Sequence, residues 1–181
     1  VLAAAFQSVT PRTAGFNTLS LSDLTMASKY FTILLMFIGA SPASTGGGIK
    51  TSTFAAIIMM IYTVLASKED VEIYKRRIPA DNIFKAAVIA VISLLLVFVS
   101  SFLLTVTERV DFLSILFETT SAFGTVGLSL GIASGLTNFG KIVIMLTMFA
   151  GRVGPLTLAM ALGSRINKAL IKFPEERILV G

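Results

Sequence analysis

GASPASTGGGIKTS (Gly39–Ser52) separates two apolar runs, YFTILLMFI before it (Tyr30–Ile38) and FAAIIMMIYTVLA after it (Phe54–Ala66). Its end, GGGIKTS, comes close to the phosphate-binding pattern G-x-x-x-x-G-K-[ST]. Two features count against a nucleotide site. Ile49 stands between Gly48 and Lys50, where the pattern needs Gly directly before Lys. The stretch also splits an apolar helical pattern instead of joining a strand to a helix in a soluble α/β unit. The alternative is a helix broken inside a membrane. Pro42 cannot donate a helical hydrogen bond, and Gly46, Gly47 and Gly48 each weaken a helix by about 1 kcal/mol relative to Ala. Ser41, Ser44 and Thr45 supply hydroxyls for the freed backbone groups. The Gly-rich loop 39–48, which begins with Gly39 and Ala40, is therefore expected to be unwound near mid-bilayer, with Lys50 just beyond it. It is either a static kink or, if it faces a pore, a gate that blocks the path in one arrangement and clears it in another.

Composition supports the membrane. The chain has 181 residues, 55% of them hydrophobic and only 14% charged, with a mean hydropathy of +0.87. A soluble domain carries about 25% charged residues, so this chain cannot cover a water-facing surface and is expected to sit in lipid. The net charge of +5 then concerns topology. Basic patches with interleaved aromatics are absent, so no nucleic-acid partner is expected. With no Cys and no His, Cys-based zinc sites, thiol catalysis, His proton shuttles and a Ser-His-Asp triad are excluded. The few carboxylates form no metal-spaced pair in an apolar segment, so no enzyme and no cofactor is expected. The chain opens on Val1 and VLAAAFQS has no basic n-region. It does not read as a signal peptide, and the expectation is a start inside a larger protein.

Along the chain, residues 1–10 suggest a short apolar helix, followed by the breakers in TPRTAGFNT. Ser22 or Asp23 is a candidate cap for a helix through LTMASKYFTILLMFIG. Helix resumes near Lys50 and runs to about Ser67. A long helix is expected over Asn82–Thr107, a short one capped by Asp111 through FLSILFETTSAF, and a last one over about Asn138–Gly163. The polar segment from Lys68 to Lys85 holds Lys68, Lys75, Arg76, Arg77 and Lys85, and the tail holds Arg165, Lys168, Lys172 and Arg177. Little beyond Arg109 lies between the long and last helices. The positive-inside rule makes the first two regions cytoplasmic and the third external. A bilayer core needs roughly 20 helical residues. Residues 28–67 are too long for one straight span, and the helices before TAGFN and GTVGL too short. Short helices that return through non-helical backbone are tolerated at membrane depth only when buried in protein or lining a watery cavity.

The chain also repeats. TAGFNTLS (Thr13–Ser20) matches TVGLSLG (Thr125–Gly131), and MFIGA (Met36–Ala40) matches MFAGR (Met148–Arg152), both at a spacing of 112 residues. Each unit reads as short helix, Thr-x-Gly loop, then a long helix carrying a glycine break; only the second includes a preceding full span. The C-terminal end of a helix carries about half a negative charge and favours a cation in a membrane cavity. The loop beyond it can offer backbone carbonyls in place of an ion's water shell, and Gly permits the φ values needed. Thr13, Ala14, Gly15, Phe16 and Asn17, and Thr125, Val126, Gly127, Leu128 and Ser129, are thus candidate ion-filter residues. The alternative is a pair of ordinary helix stops followed by turns.

SVTPRTAGFNTLS, GASPASTGGGIKTSTF, SAFGTVGLS and MFAGRVGPLT, which together span most of the chain, resemble the Trk/Ktr/HKT superfamily of potassium transport proteins. The resemblance implies an all-α membrane protein with potassium-channel-like helix–pore-loop–helix repeats. Four such repeats surround one pore, each giving a filter strand with a central glycine. It implies that Gly15 and Gly127 are the filter glycines of the third and fourth repeats, two of the four being covered and the first of them incomplete. The third repeat would occupy 1–67, a cytoplasmic linker 68–81, the fourth repeat 82–163 and a cytoplasmic tail 164–181. It further implies that the Gly-rich stretch is an intramembrane gating loop, that K⁺ is the bound and transported ion, and that the protein sits multi-pass in the cell membrane. As partners it implies the N-terminal repeats of the same protein, a second copy in a homodimer, membrane lipid and a cytoplasmic ring of nucleotide-binding regulatory subunits. A sodium-conducting or sodium-coupled transporter of the same architecture is the alternative function.

Charges inside a membrane are costly. Lys50 either snorkels toward the cytoplasm or donates to carbonyls of the broken helix. Arg152 occupies the position equivalent to Ala40 and is expected to pair with loop carbonyls and help hold the gate closed, or else to cap carbonyls structurally. Glu118 is expected to orient the filter backbone or add negative potential, with Gln7 near the matching position. Arg12 is expected to point away from the cation path, and Phe16 and Leu128 to pack. A secondary transporter would normally show inverted repeats, whereas these two units share one orientation.

Overall fold

The computed structural model describes residues 2–68, 70–73, 76–154 and 157. The proposed tail and Lys75 lie outside them. Six helices carry the described chain: α1 (Leu2–Val9), α2 (Met26–Phe37), α3 (Thr51–Leu65), α4 (Ala80–Thr107), α5 (Phe112–Gly124) and α6 (Asn138–Val153). A short antiparallel pair, β1 (Glu72–Ile73) and β2 (Arg76–Arg77), folds the polar segment before α4. Nothing in the residue pattern announced it. Across its turn Arg77 Nε meets Asp70 Oδ1 at 2.8 Å.

α4 is the one described helix long and apolar enough to cross a membrane; α2 and α3 are shorter apolar helices. At 1.5 Å per residue its 28 residues extend about 42 Å. α5 is the centre of the molecule, packed by α2, α4 and α6. Every residue from Phe117 to Gly124 is buried. Phe117 joins Leu21, Ile33, Met36, Val126 and Leu128 in one apolar cluster, while Ile115 and Ala122 pack with Leu104, Val143 and Ile144 in another. Hydroxyls stitch α4 to α5 and α6. Ser101 and Thr119 join α4 to α5 at 3.0 Å, and Ser100 and Thr147 join α4 to α6 at 2.8 Å. Such contacts suit surroundings where packing and interhelical hydrogen bonds replace the hydrophobic drive.

Glu108 fixes how the second unit folds back. It ends α4 and is buried. Its carboxylate accepts from the Thr137 hydroxyl at 2.6 Å and from the Thr137 N–H at 3.2 Å, at the N-terminus of α6, where a negative charge is favoured. α5 starts beside this point, capped by Asp111, whose side chain accepts from Leu113 N–H. The chain therefore goes in along α5 and is back beside Glu108 by Thr137.

Helix starts obey the 112-residue spacing. Thr25 caps α2, accepting from Ser28 N–H, and Thr137 caps α6, accepting from Gly140 N–H. Ser22 and Asp23 do not cap α2, as the sequence suggested; Ser22 bonds Ser20 and its carbonyl accepts from Lys29 Nζ. The expected glycine breaks fall at different positions in the two units. α2 stops at Phe37, but α6 runs through Gly151 to Val153 and ends at Gly154, where φ is +93°. Gly151 serves close packing instead: a Cβ there would overlap the carbonyl of Phe123 at the end of α5.

Candidate functional site

The two Thr-x-Gly loops adopt matching backbone. φ is +66° at Thr13 and +72° at Gly15, and +51° at Thr125 and +87° at Gly127. A left-handed Thr is costly, since Cβ crowds the following carbonyl; both loops carry it at the same position. In an ordinary strand successive carbonyls point to opposite sides. Alternating the sign of φ along Thr-x-Gly breaks that rule and lets neighbouring carbonyls share a side.

The loops meet. A Cβ on Gly15 would overlap the Val126 carbonyl, and one on Gly127 would lie 3.9 Å from Gly15 Cα. Both loops are tied back to their helices. Ala14 N–H donates to Thr10 O at 3.1 Å, and Val126 N–H to Ser121 O at 3.0 Å. The Thr10 hydroxyl donates to Phe16 O at 2.7 Å, and the Ser121 hydroxyl to Leu128 O at 2.6 Å. The carbonyls just beyond each glycine thus face their own helix, although Phe16 and Leu128 were among the expected filter residues. Their side chains differ: Leu128 is in the core, whereas Phe16 is 71% exposed. Asn17 and Ala14 are exposed and Val126 is buried. Thr10 and Ser121 escaped the sequence reading, although each is a hydroxyl residue three or four positions before its loop.

Ser129 donates to Glu118 Oε2 at 3.0 Å and accepts from Gly131 N–H at 3.0 Å. Glu118 lines a cavity of about 410 Å³ with Ser121, Thr125, Gly127 and Ser129. At the spacing of 112, Glu118 matches Phe6 and Gln7 matches Thr119, which sets Gln7 one residue away from the match to Glu118.

The Gly-rich stretch is a loop pinched at its neck. Gly39 N–H donates to Ile49 O at 2.8 Å and Ile49 N–H to Phe37 O at 3.2 Å, with Ile38 and Ile49 bridged in parallel. The parallel sense means the chain leaves the loop heading as it entered, so α3 resumes the course of α2. A Cβ on Gly39 would overlap the Gly47 carbonyl, which is why the neck needs glycine. Gly46 and Gly47 lie against the side chains of Thr13 and Thr125, and Gly47 N–H donates to Thr125 Oγ1 at 2.9 Å. The carbonyls of Ser44 and Gly46 accept from Lys50 Nζ. Lys50 thus makes the contacts expected of Arg152, which is exposed and has no hydrogen-bond or ion-pair partner among the described residues. Ala40 accepts from Thr51 N–H at 3.4 Å, while Ser41, Ser44 and Thr45 are exposed and Gly48 is buried with φ +74°. Arg12 is exposed beside the first loop.

The family model described as TrkH, cation transport protein, matches residues 1–168. Ktr system potassium uptake protein B of Bacillus subtilis (strain 168) is 45% identical over 176 residues, 97% of this chain and 39% of that one. The protein of the same name from Vibrio alginolyticus is 44% identical over 180 residues, 99% of this chain and 39% of the relative. Potassium/sodium uptake protein NtpJ of Enterococcus hirae is 37% identical, covering 97% and 40%. The chain thus spans about two-fifths of the length of these relatives. The crystal structure of the potassium transporter TrkH from Vibrio parahaemolyticus superposes with a TM-score of 0.76 over 88% of this chain and 36% of that one, at 22% identity, a likeness of fold. With the family model matched over nearly its whole length, the chain belongs to the TrkH family of cation transport proteins, membrane transporters rather than enzymes.

Proposed function

We propose that this chain supplies part of a potassium-conducting pore, and that residues 13–15 and 125–127 line its filter. The observation that carries this is the meeting of two loops with the same alternating backbone at Gly15 and Gly127. Bare carbonyls gathered there replace the hydration shell of a monovalent cation. Flow follows the electrochemical gradient, and two further repeats of the longer protein complete the ring. Relatives named as potassium uptake proteins support potassium as the cargo. One relative's name includes sodium as well, which favours a sodium-conducting or sodium-coupled transporter as the second reading.

In this proposal the Gly39–Lys50 loop is the gate, because it lies against the first residue of each filter loop. Arg152 adds a fixed positive charge on the ion path that raises the barrier to a cation. The protein is multi-pass, with 68–81 and 164–181 cytoplasmic, works as a homodimer in lipid and docks a cytoplasmic ring of nucleotide-binding regulatory subunits. The test is ion flux in liposomes by the full-length protein. Gly127→Ala places a methyl on left-handed backbone beside the opposing loop. Potassium flux should fall at least about tenfold with normal expression, or potassium over sodium preference should be lost. Unchanged flux and selectivity would remove Gly127 from the filter.

A further inference from the structure

The Gly-rich loop meets the second filter loop through one defined hydrogen bond, from Gly47 N–H to Thr125 Oγ1. Resting on the reading of 125–127 as a filter segment, we propose that a cation at the innermost filter position and the docked Gly-rich loop oppose each other, because both bring positive charge to Thr125 Oγ1. Potassium therefore loosens the gate it must pass.

Thr125 is the first residue of its loop, directly after the last residue of α5. Its hydroxyl has one proton and two acceptor lone pairs. One lone pair is taken by the Gly47 N–H at 2.9 Å. The loop backbone rests flush on both filter threonines. A Cβ on Gly46 would come within 2.7 Å of Thr13 Oγ1, and one on Gly47 within 2.7 Å of Thr125 Oγ1. No side chain fits between loop and filter, which gives these two glycines a role separate from weakening the helix.

Charge makes the opposition specific to cations. A dehydrated cation needs oxygen lone pairs directed at it. The docked loop instead presents the positive end of the Gly47 N–H to the oxygen a cation would use. Lys50 adds an ammonium on the same loop, bound to the carbonyls of Ser44 and Gly46. A docked loop is thus a tethered positive charge beside the inner filter residues. Coupling of two binding events is reciprocal. Whatever factor the docked loop takes from ion affinity at this position, the ion takes from loop docking.

The Gly47 amide reports the bond directly, by hydrogen–deuterium exchange of the peptide over residues 40–49 in the full-length protein. Exchange is compared in saturating potassium and in N-methylglucamine. Ligand binding to the native state slows exchange elsewhere, so faster exchange in this peptide alone has the opposite sign and is diagnostic. The expected acceleration by potassium is at least about fivefold, the lower end of ordinary coupling. Thr125→Val removes the acceptor at equal shape, so exchange should be fast in both media. Thr125→Ser keeps the hydroxyl and should keep the potassium effect. Equal or slower exchange of the wild-type peptide in potassium overturns the proposal, and needs no variant to fold. So does a potassium effect that survives in Thr125→Val. Potassium flux is measured on the same preparation: absent flux in well-folded protein sinks the filter reading, whereas normal flux with potassium-indifferent exchange sinks only this inference.

Discussion

One ammonium ties the Gly-rich loop, the proposed gate, to itself. Lys50 Nζ donates to two loop carbonyls, Ser44 O and Gly46 O, on the segment that touches Thr13 and Thr125. Lys50→Met keeps the length of the stem and removes the charge, leaving both carbonyls without their donor. A hydrogen bond to a charged group is worth about 1.5 kcal/mol or more, and 1.4 kcal/mol is about tenfold in an equilibrium. Resting potassium flux of the full-length protein in liposomes should therefore rise about tenfold, and Lys50→Arg should rise less. Flux at or below wild type, with normal expression, would mean that Lys50 only anchors the helix. Much at this scale was legible. The Thr-x-Gly pairs, the glycine run and the carbonyl-binding alternative for Lys50 all follow from residue type and spacing. The reach of Lys50 rather than Arg152 to the loop was not, because it depends on the loop folding back over its own neck. Glu108 was invisible for the same reason: its partner Thr137 lies 29 residues away, brought close only by the return of the chain.

At the scale of elements, the two units can be laid over each other and their differences read as missing contacts. In the second unit Thr119 of α5 is satisfied by Ser101 of α4. The equivalent position in the first unit is Gln7 of α1, and both polar atoms of its amide are buried without a partner among the described residues. Gln7 lines a cavity of about 470 Å³ with Ala4, Leu24, Ala27, Phe31 and Leu35, between α1 and α2. The relatives carry more chain than this one, and if the longer protein continues the repeat, a helix like α4 covers that cavity with a polar side chain opposite Gln7. An unpaired buried amide costs about 1–3 kcal/mol, so the two cases have opposite signs. If the partner exists, Gln7→Leu strands it and lowers the Tm of the full-length protein by several degrees. If Gln7 is unpaired there as well, the same substitution raises Tm. Helix type and approximate extent were legible here from apolar period and caps, and Asp111 caps α5 as its position suggested. Which glycine of AGRVGP ends α6 was not legible, because sequence cannot tell a helix-weakening glycine such as Gly154 from one that admits a neighbour's carbonyl. Gly151 is the second kind. The β1–β2 pair was unreadable because two-residue strands carry no period.

For the whole molecule, family and membrane character were legible in composition and motifs, whereas orientation rests on charge placement alone. Lys68, Arg76, Arg77 and Lys85 flank the start of α4, while the segment between α4 and α6 holds Arg109 and little other positive charge. The fold adds a constraint that charge counting does not contain. Glu108 binds Thr137, so the end of α4, the start of α5 and the start of α6 must share one side. The 132–135 turn, between the second Thr-x-Gly loop and α6, lies on the same return path. If the positive-inside rule holds, Ser67 faces the cytoplasm and Ser134 the outside. Single cysteines settle this in a cysteine-free full-length background, since this chain has none of its own. Ser134→Cys should react with a membrane-impermeant maleimide on intact cells, and Ser67→Cys only after the membrane is opened. The reverse pattern would invert the topology and put the gate on the external side of the filter. Reaction of both from one side would be more damaging. α4 alone crosses between them once before the chain turns back, so two labels on one face would deny that α4 spans. The proposed pore would then lose α4, the helix against which α5 packs, as its outer wall.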